Sequence, residues 1–267
     1  MSQATANVPS IVLQIQQAQG AKRRRDRIIF ALTWAVILIS VTLLFLSKGK
    51  IDLGFIATWA PLIIKGAGTT IVVCVMSIVL ATGLAILGAL GRLSSNPVIY
   101  AVASLYVSFI RGTPLLVQIY VIYFSLPQIG IVLPALWAGI AALALNYGAY
   151  LTEIFRAGIQ AVPRGQREAA EALGLPEGLI MRRVILPQAT RIVIPAIGNE
   201  FIAMIKDSAL VSVIGVQETL WLAYTAGRPT GRTLEAFFIA AGVYWVLTII
   251  FSFVQSRIER RMAKGDR

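Results

Sequence analysis

Two acidic residues, Glu200 and Asp207, stand in a largely apolar stretch of the sequence. A charge inside an apolar segment is costly in a membrane, so such residues usually mark a functional site. The two acids are seven residues apart, nearly two turns of a helix, so a helix places both on one side. Two carboxylates on one face suit a cationic side chain or an ammonium group. The alternative is that Arg111 or Lys206 neutralises them structurally, although Lys206 neighbours Asp207 and points elsewhere on the helix.

Arg111 is a second candidate for ligand chemistry, because a guanidinium group can bind a substrate carboxylate in a bidentate manner. It could instead pair with Glu153 or cap a kink at Pro114. Asn146 could contact a ligand or form a hydrogen bond between helices. On the same apolar run, Asn146, Tyr147 and Tyr150 could add polar contacts.

Several kinds of chemistry are excluded by what the sequence lacks. It has no His and one Cys, Cys74, which excludes an internal disulfide, a Cys/His zinc site and His-dependent nucleophilic catalysis. The sequence also lacks the G-x-x-x-x-G-K-[ST] pattern of a nucleotide-binding P-loop. It therefore predicts no metal site, no catalytic residue and no cofactor bound by this chain, and any energy from ATP must come from another chain.

The elements that position these residues are apolar runs typical of a membrane protein. The 267 residues are 57% hydrophobic and 13% charged, whereas soluble domains carry about a quarter charged residues. In lipid the backbone must satisfy its own hydrogen bonds, so each run predicts a helix and the fold class is all-α. Six runs follow one another: Ile28–Leu46, Gly66–Leu90, Val98–Leu126, Leu133–Ile154, Ile192–Val216 and Ala236–Val254.

The distribution of basic residues predicts the orientation of these six spans. With the N-terminus in the cytoplasm, 17 of the 24 Lys and Arg fall in cytoplasmic segments and four in outer segments. Lys65, Arg111 and Lys206 lie at or in the membrane. This bias follows the positive-inside rule and predicts that both termini are cytoplasmic. It also accounts for the net charge of +12 without nucleic acid as a partner.

The same pattern divides the chain into a cytoplasmic tail at 1–27, a membrane domain at 28–255 and a cytoplasmic tail at 256–267. Residues 1–21 are polar without periodicity, which predicts a mobile tail. A basic cluster and the first apolar run follow. Such a pattern could also be a signal peptide, but the run is long and no cleavage site is evident, so we interpret it as a retained helix.

A long polar loop, 160–190, interrupts the apolar runs on the cytoplasmic side. Arg164–Leu173 is rich in Ala, Glu, Gln and Arg, which favour a helix. Gly174 suits a left-handed residue at the end of that helix. Pro176 and Glu177 suit the first turn of a second helix. The segment thus predicts a helix–turn–helix outside the bilayer, followed by turns or the start of the fifth run at Pro187 and Pro195.

This loop resembles the EAA loop of ATP-binding cassette importer permeases, in the motif Glu168-Ala169-Ala170, Gly174 and Leu186-Pro187. The resemblance implies that it is a coupling helix inserted into a separate ATPase chain. Glu168 would then pair with a basic residue of the ATPase, Ala169 and Ala170 would permit close contact, and Gly174 would set the turn. The alternative is an amphipathic helix at the membrane interface without a partner.

Further stretches are similar to permeases of the polar amino acid uptake family, and the resemblance extends over about residues 61–262, most of the chain. They are Phe109–Gln118, Glu153–Ile159, Gly198–Phe201 and Lys206–Gly215. The resemblance implies a subunit of the bacterial inner membrane that pairs with a second permease, a copy or a paralogue. It also implies ATPase subunits that bind ATP and Mg²⁺, and an external solute-binding protein that delivers the amino acid.

The resemblance also bears on the substrate, because acids at the positions of Glu200 and Asp207 are associated with the ligand in a permease for basic amino acids. A basic amino acid is therefore expected as one option, although permeases for other polar amino acids share these motifs. The competing hypothesis is a secondary transporter or channel for a small cation or amino acid. That function needs no docking loop, so residues 160–190 argue against it.

Overall fold

The structure is a computed structural model that describes residues 8–47 and 51–263, and within these residues every regular element is helical. The chain divides into two compact units, 1–53 and 54–267. The first contains α1 (Val8–Ser47). The predicted tail is thus helical from Val8, because Ala, Gln and Arg favour a helix and Pro9 stands in its first turn, where proline is tolerated. Residues 1–7 lie outside the described part.

The second unit contains the remaining helices, joined by short turns. Short segments of π-helix or 3-10 helix continue several of these helices. The π-helical segments are Val121–Ser125 and Met181–Ile185, and the 3-10 segments are Leu126–Ile129 and Ser208–Ile214. The helices are α2 (Leu53–Arg92), α3 (Pro97–Gly112), α4 (Leu115–Tyr120), α5 (Ala135–Gln160), α6 (Arg164–Ala172), α7 (Glu177–Ile180), α8 (Leu186–Asp207), α9 (Thr219–Thr230) and α10 (Thr233–Ala263).

The predicted all-α polytopic fold of about six spans is confirmed. Among the described residues, α2, α5 and α10 are each long and apolar enough to cross a membrane. The segment from α3 through Ile129 meets the same criteria as a pair of helices bent by 107°. Two more candidates are α1, which carries the first predicted run, and α8, which carries the intramembrane acids.

The bend between α3 and α4 has a local cause in the sequence. Pro114 has no backbone N–H, and a proline also disfavours helical geometry in the residue before it. Thr113 accordingly adopts an extended conformation, with φ −117° and ψ 144°. The third apolar run is therefore two helices that meet at Pro114, the position at which the sequence indicated a kink.

Three other predicted boundaries differ from the structure. The fifth helix begins at Leu186 and ends at Asp207, earlier than the predicted run, and Pro195 lies inside it. The connection between the fifth and sixth predicted runs contains α9, because Glu218 caps the start of a helix there. The C-terminal tail is helical as far as Ala263, since α10 continues beyond its apolar part.

The core of the second unit lies around α5, which is rich in Ala and Gly on its buried faces. Apolar side chains of α2, α8 and α10 pack against it in one cluster. Small residues let the helix backbones approach closely, as is usual in membrane proteins. At Gly88 of α2, an added Cβ would overlap Oγ1 of Thr152 on α5. Close backbone packing therefore fixes α2 against α5.

Candidate functional site

The loop at 160–190, which contains α6 and α7, has a small hydrophobic cluster of its own. Its buried members come from both helices and from the segments that flank them, and are Val162, Ala170, Ile180, Ile185 and Ala189. This cluster connects the loop to the start of α8. The loop is therefore a folded element rather than a flexible connection, which is what a surface for a partner requires.

The turn between α6 and α7 has the predicted geometry. Gly174 has a φ of +73°, a conformation that glycine adopts without strain. Its N–H donates to Glu171 O at 2.9 Å, and the N–H of Leu175 donates to Ala170 O at 3.2 Å, so the last carbonyls of α6 are satisfied. Arg167 and Glu177 form an ion pair across the turn. The predicted helix–turn–helix is confirmed.

The residues of the EAA motif face in different directions. Glu168 and Ala169 are exposed on α6, as contact with a partner requires. Ala170 is only 4% exposed and packs inside the loop's cluster, so its methyl group contacts the loop itself rather than a partner. This corrects the expected role of Ala170. Leu186 and Pro187 are exposed at the start of α8.

One exposed residue of the loop was missed in the sequence. Leu173 follows α6 and is 80% exposed, more than any other large hydrophobic residue in the described part of the chain. A leucine directly before a left-handed glycine at a helix end is the signal that could have identified it. It gives the loop an exposed apolar side chain in addition to the exposed carboxylate of Glu168.

Arg111 lies at the C-terminal end of α3 and is exposed. Its guanidinium group lies over the ring of Tyr150, 5.0 Å from the centroid. It does not pair with Glu153, which instead binds Arg92 at 3.1 Å and Arg156 at 2.7 Å. That alternative for Arg111 is therefore wrong.

The two intramembrane acids lie at the end of α8. Asp207 is half-buried, and the hydroxyl of Tyr147 donates to its Oδ2 at 2.8 Å. Glu200 is also half-buried, and the charges of both Asp207 and Arg111 act on it. Lys206 is exposed on another side of the helix, as expected. The acids thus share a region with Arg111 and with polar groups of α5.

Asn146 on α5 is 7% exposed, and its Nδ2 donates to Oε1 of Gln118 on α4 at 3.1 Å. It therefore forms the hydrogen bond between helices that was one of its two expected roles. Gln118 was missed in the sequence, although its place four residues after the break at Pro114 is a usable signal. The structure groups Arg111, Gln118 and Asn146 where α3, α4 and α5 meet.

Glu218 is a third residue that the sequence analysis did not single out. It is fully buried at the start of α9. Its carboxylate accepts hydrogen bonds from the N–H of Trp221 at 2.8 Å, from the hydroxyl of Thr70 at 3.4 Å and from the hydroxyl of Tyr244. It links α2, α9 and α10. No cluster of His, Cys, Asp or Glu among the described residues could hold a metal ion.

Comparisons with known proteins identify the family to which this helical chain belongs. Residues 78–264 match the family described as binding-protein-dependent transport system inner membrane component. The chain belongs to this family. The protein is therefore a transport component of a membrane, and the resemblance found in its sequence is confirmed.

Curated relatives of this permease match it over most of their length. It is 41% identical to the arginine transport system permease protein ArtQ of Bacillus subtilis over 77% of this chain and 94% of that one. It is 39% identical to the putative glutamine transport system permease protein GlnP of Rickettsia typhi, over 75% and 92%. The L-cystine transport system permease protein TcyB of Bacillus subtilis is 40% identical, over 76% and 87%.

Solved structures share the fold of this permease. A crystal structure of an amino acid ABC transporter with histidines superposes with a TM-score of 0.76 and 44% identity, over 79% of this chain and 99% of that one. An inward-facing MetNI methionine ABC transporter has a TM-score of 0.60 and 21% identity, over 74% and 92%. At that identity the second likeness concerns the fold alone.

Proposed function

We propose that this permease is the membrane-spanning subunit of an ATP-driven importer for a polar amino acid. The observation that carries the proposal is the folded loop at 160–190, with Glu168 and Leu173 exposed on it. Relatives named for arginine, glutamine and cystine support an amino acid as the substrate. In this proposal the loop binds a separate ATPase and thereby couples ATP hydrolysis to transport.

The loop is suited to dock a partner because its shape does not depend on that partner. Its own apolar cluster and the left-handed Gly174 hold α6 and α7 together. The exposed face then offers a carboxylate, a small residue and an apolar side chain, those of Glu168, Ala169 and Leu173. A basic residue of the ATPase would pair with Glu168, and an apolar pocket would receive Leu173. ATP and Mg²⁺ would bind to the ATPase.

The substrate site belongs to the region where α3, α5 and α8 meet. Glu200 and Asp207 would receive an ammonium or guanidinium group, and Arg111 would bind the α-carboxylate. Asn146 would add a polar contact. Two acids against one base give this region a net negative charge, which favours a basic amino acid over a neutral one.

The remaining partners are a second permease and an external solute-binding protein. The acids and Arg111 stand on one subunit, and a second copy or a paralogue would enclose the pathway. The solute-binding protein would deliver the amino acid from outside. In this arrangement both termini and the loop at 160–190 are cytoplasmic, as the 17 cytoplasmic Lys and Arg favour.

The docking role is tested by the substitution Glu168→Arg in the transporter reconstituted with its ATPase and binding protein. Reversing the charge should reduce ATP-coupled uptake by about tenfold or more, because a basic residue on the ATPase would then be repelled. Gln166→Arg is the matched control. It introduces the same arginine side chain at an exposed position two residues earlier on α6, away from the Glu168 face. Unchanged assembly and uptake in Glu168→Arg would refute the docking role.

The substrate assignment is tested with Glu200→Gln and Asp207→Asn, which keep side-chain size and remove the charge. Uptake of labelled arginine by the reconstituted transporter should fall relative to uptake of labelled glutamine. Competition with unlabelled Arg, Lys, His, Gln and Glu gives the substrate range. If both variants keep the uptake rate and the selectivity of the unmutated permease, the acids do not bind the substrate.

A further inference from the structure

Gln118 lies between the broken third span and Asn146, and it is itself 7% exposed. Its side-chain nitrogen donates to the backbone carbonyl of Ile110 on α3, and its side-chain oxygen accepts from the side-chain nitrogen of Asn146 on α5. Both ends of the amide are therefore engaged, and the two ends differ in chemistry. This difference fixes the orientation of the neighbouring Asn146.

The backbone groups that Gln118 contacts are carbonyls released by the break at Pro114. In a continuous helix the N–H of residue 114 would donate to Ile110 O, but proline has no N–H. The N–H groups of Val117 and Gln118 both donate to Pro114 O, which leaves Thr113 O for another donor. The Nε2 of Gln118 lies 2.8 Å from Ile110 O and 3.1 Å from Thr113 O. It thus replaces donors that the backbone lacks.

These contacts determine which way the two amides face. Backbone carbonyls can only accept hydrogen bonds, so the nitrogen of Gln118 must face them and its oxygen must face Asn146. An oxygen in turn requires a donor, so the nitrogen of Asn146 faces Gln118, at 3.1 Å. The carbonyl oxygen of Asn146 is consequently turned away from Gln118.

That oxygen remains open to a ligand. Among the described residues, none donates a hydrogen bond to Oδ1 of Asn146. In the same part of the chain, every side-chain nitrogen or oxygen atom that is buried has a hydrogen-bond partner. Oδ1 therefore reaches the surface of the helix bundle despite the low exposure of Asn146 as a whole. Tyr150, which stacks with Arg111, lies one turn further along the same face of α5.

We propose that Gln118 is a positioning residue that holds Asn146 with its carbonyl oxygen toward the translocation pathway, where this oxygen accepts a hydrogen bond from the ammonium group of the substrate. The inference rests on the proposed function, because it requires an amino acid in this region. It adds a third acceptor to Glu200 and Asp207, and it gives the broken helix a role in selectivity. Without Gln118 the amide of Asn146 is free to rotate and to present its nitrogen, which repels an ammonium group.

The test measures equilibrium binding of radiolabelled L-arginine and L-glutamine to the solubilised permease–ATPase complex. Gln118→Met has nearly the same length and cannot form hydrogen bonds with either neighbour. We expect it to raise the dissociation constant about tenfold, as does Asn146→Leu. Tyr106→Phe is the matched control. It removes a hydrogen bond of 2.8 Å to Leu145 O, beside Asn146 on α5, and should change the dissociation constant less than about twofold.

The double variant Gln118→Met/Asn146→Leu separates positioning from a structural role. If Gln118 acts through Asn146, the double variant binds as weakly as Asn146→Leu alone, because the two effects are not independent. If Gln118 only stabilises the bend, the two losses multiply to about a hundredfold. A multiplied loss, or an unchanged dissociation constant in Gln118→Met, overturns the inference.

The same binding measurements distinguish a failure of the proposed function from a failure of the inference about Gln118. Absence of arginine and glutamine binding by the intact unmutated complex would overturn the amino acid site and this inference together. Binding by the unmutated complex with a multiplied loss in the double variant would overturn only the role of Gln118.

Discussion

Glu153 joins three helices near the end of α5 that leads into the loop at 160–190. Its carboxylate connects Arg92 at the end of α2 with Arg156 on α5. Arg92 also donates to Ser104 Oγ of α3 at 2.5 Å. A single carboxylate thereby forms ion pairs with two arginines and connects α2 and α3 to α5.

Replacing this carboxylate should destabilise the permease. Glu153→Gln leaves two arginine side chains close together without a counter-charge, at a place where the Glu153 side chain is 19% exposed. We expect a loss of about 1–2 kcal/mol, measured as a lower thermal midpoint of the solubilised protein.

The exposed pair of Arg167 and Glu177 provides the comparison. Its side chains are 38% and 62% exposed, and ion pairs in water contribute little, so Arg167→Gln should cost less than about 1 kcal/mol. Equal losses in Glu153→Gln and Arg167→Gln would contradict the proposed difference between the two networks.

At the scale of the elements, the turn between α6 and α7 depends on the left-handed Gly174. Gly174→Ala should strain the turn by about 1–2 kcal/mol, since L-residues avoid this conformation. The strain should lower ATP-coupled uptake, which is measured in proteoliposomes, by displacing α6 from α7.

Gly178 in α7 is the matched control for Gly174. It has a helical φ, and no atom lies within 4 Å of an added Cβ. Gly178→Ala should therefore leave uptake unchanged and stabilise α7 slightly. A similar loss of uptake in both variants would point to the surface of the loop rather than its turn.

The contact between α2 and α5 depends on the absence of a side chain at Gly88. Gly88→Ala should cost about 1–3 kcal/mol, because the new methyl group overlaps the side chain of Thr152. Gly83→Ala, at a position with no atom within 4 Å of the added Cβ, should be neutral by the same thermal assay.

Thr152→Ala is the rescue for that overlap. It removes the Oγ1 and Cγ2 atoms that an added methyl group at Gly88 would overlap. The double variant Gly88→Ala/Thr152→Ala should therefore recover most of the thermal stability lost in Gly88→Ala. No recovery would mean that the cost arises elsewhere on α2.

At the scale of the whole molecule, the distribution of basic residues predicts which ends of the helices face the cytoplasm. Residues such as Gln166 on α6 and Arg228 on α9 are exposed and should lie on opposite sides of the membrane. The lone cysteine, Cys74, is buried, so Cys74→Ala provides a background without cysteine.

An impermeant maleimide tests this orientation in membrane vesicles. In the Cys74→Ala background, Gln166→Cys should react only in inside-out vesicles and Arg228→Cys only in right-side-out vesicles. Reaction of both cysteines from the same side would refute the predicted topology.

The sequence was sufficient to predict the helical fold, most of the apolar runs and the turn at Gly174, because each follows from local periodicity or from one special residue. It could not predict that α1 begins at Val8 or that α9 forms at 219–230, since helix ends depend on caps and tertiary contacts. The sequence also did not predict that Ala170 is buried in the loop's own cluster. The EAA motif gives the order of its residues, but which of them are buried depends on how α6 packs against the rest of the loop.

By itself, the sequence of this permease determined that it folds in a membrane, and it predicted the orientation of the spans and a docking loop, because composition, charge counts and motifs are read along the chain. The tertiary structure alone decided which polar groups meet. Arg111 lies over Tyr150 rather than beside Glu153, and Gln118 orients Asn146. Such contacts join residues far apart in the chain, so their geometry arises only when the helices pack.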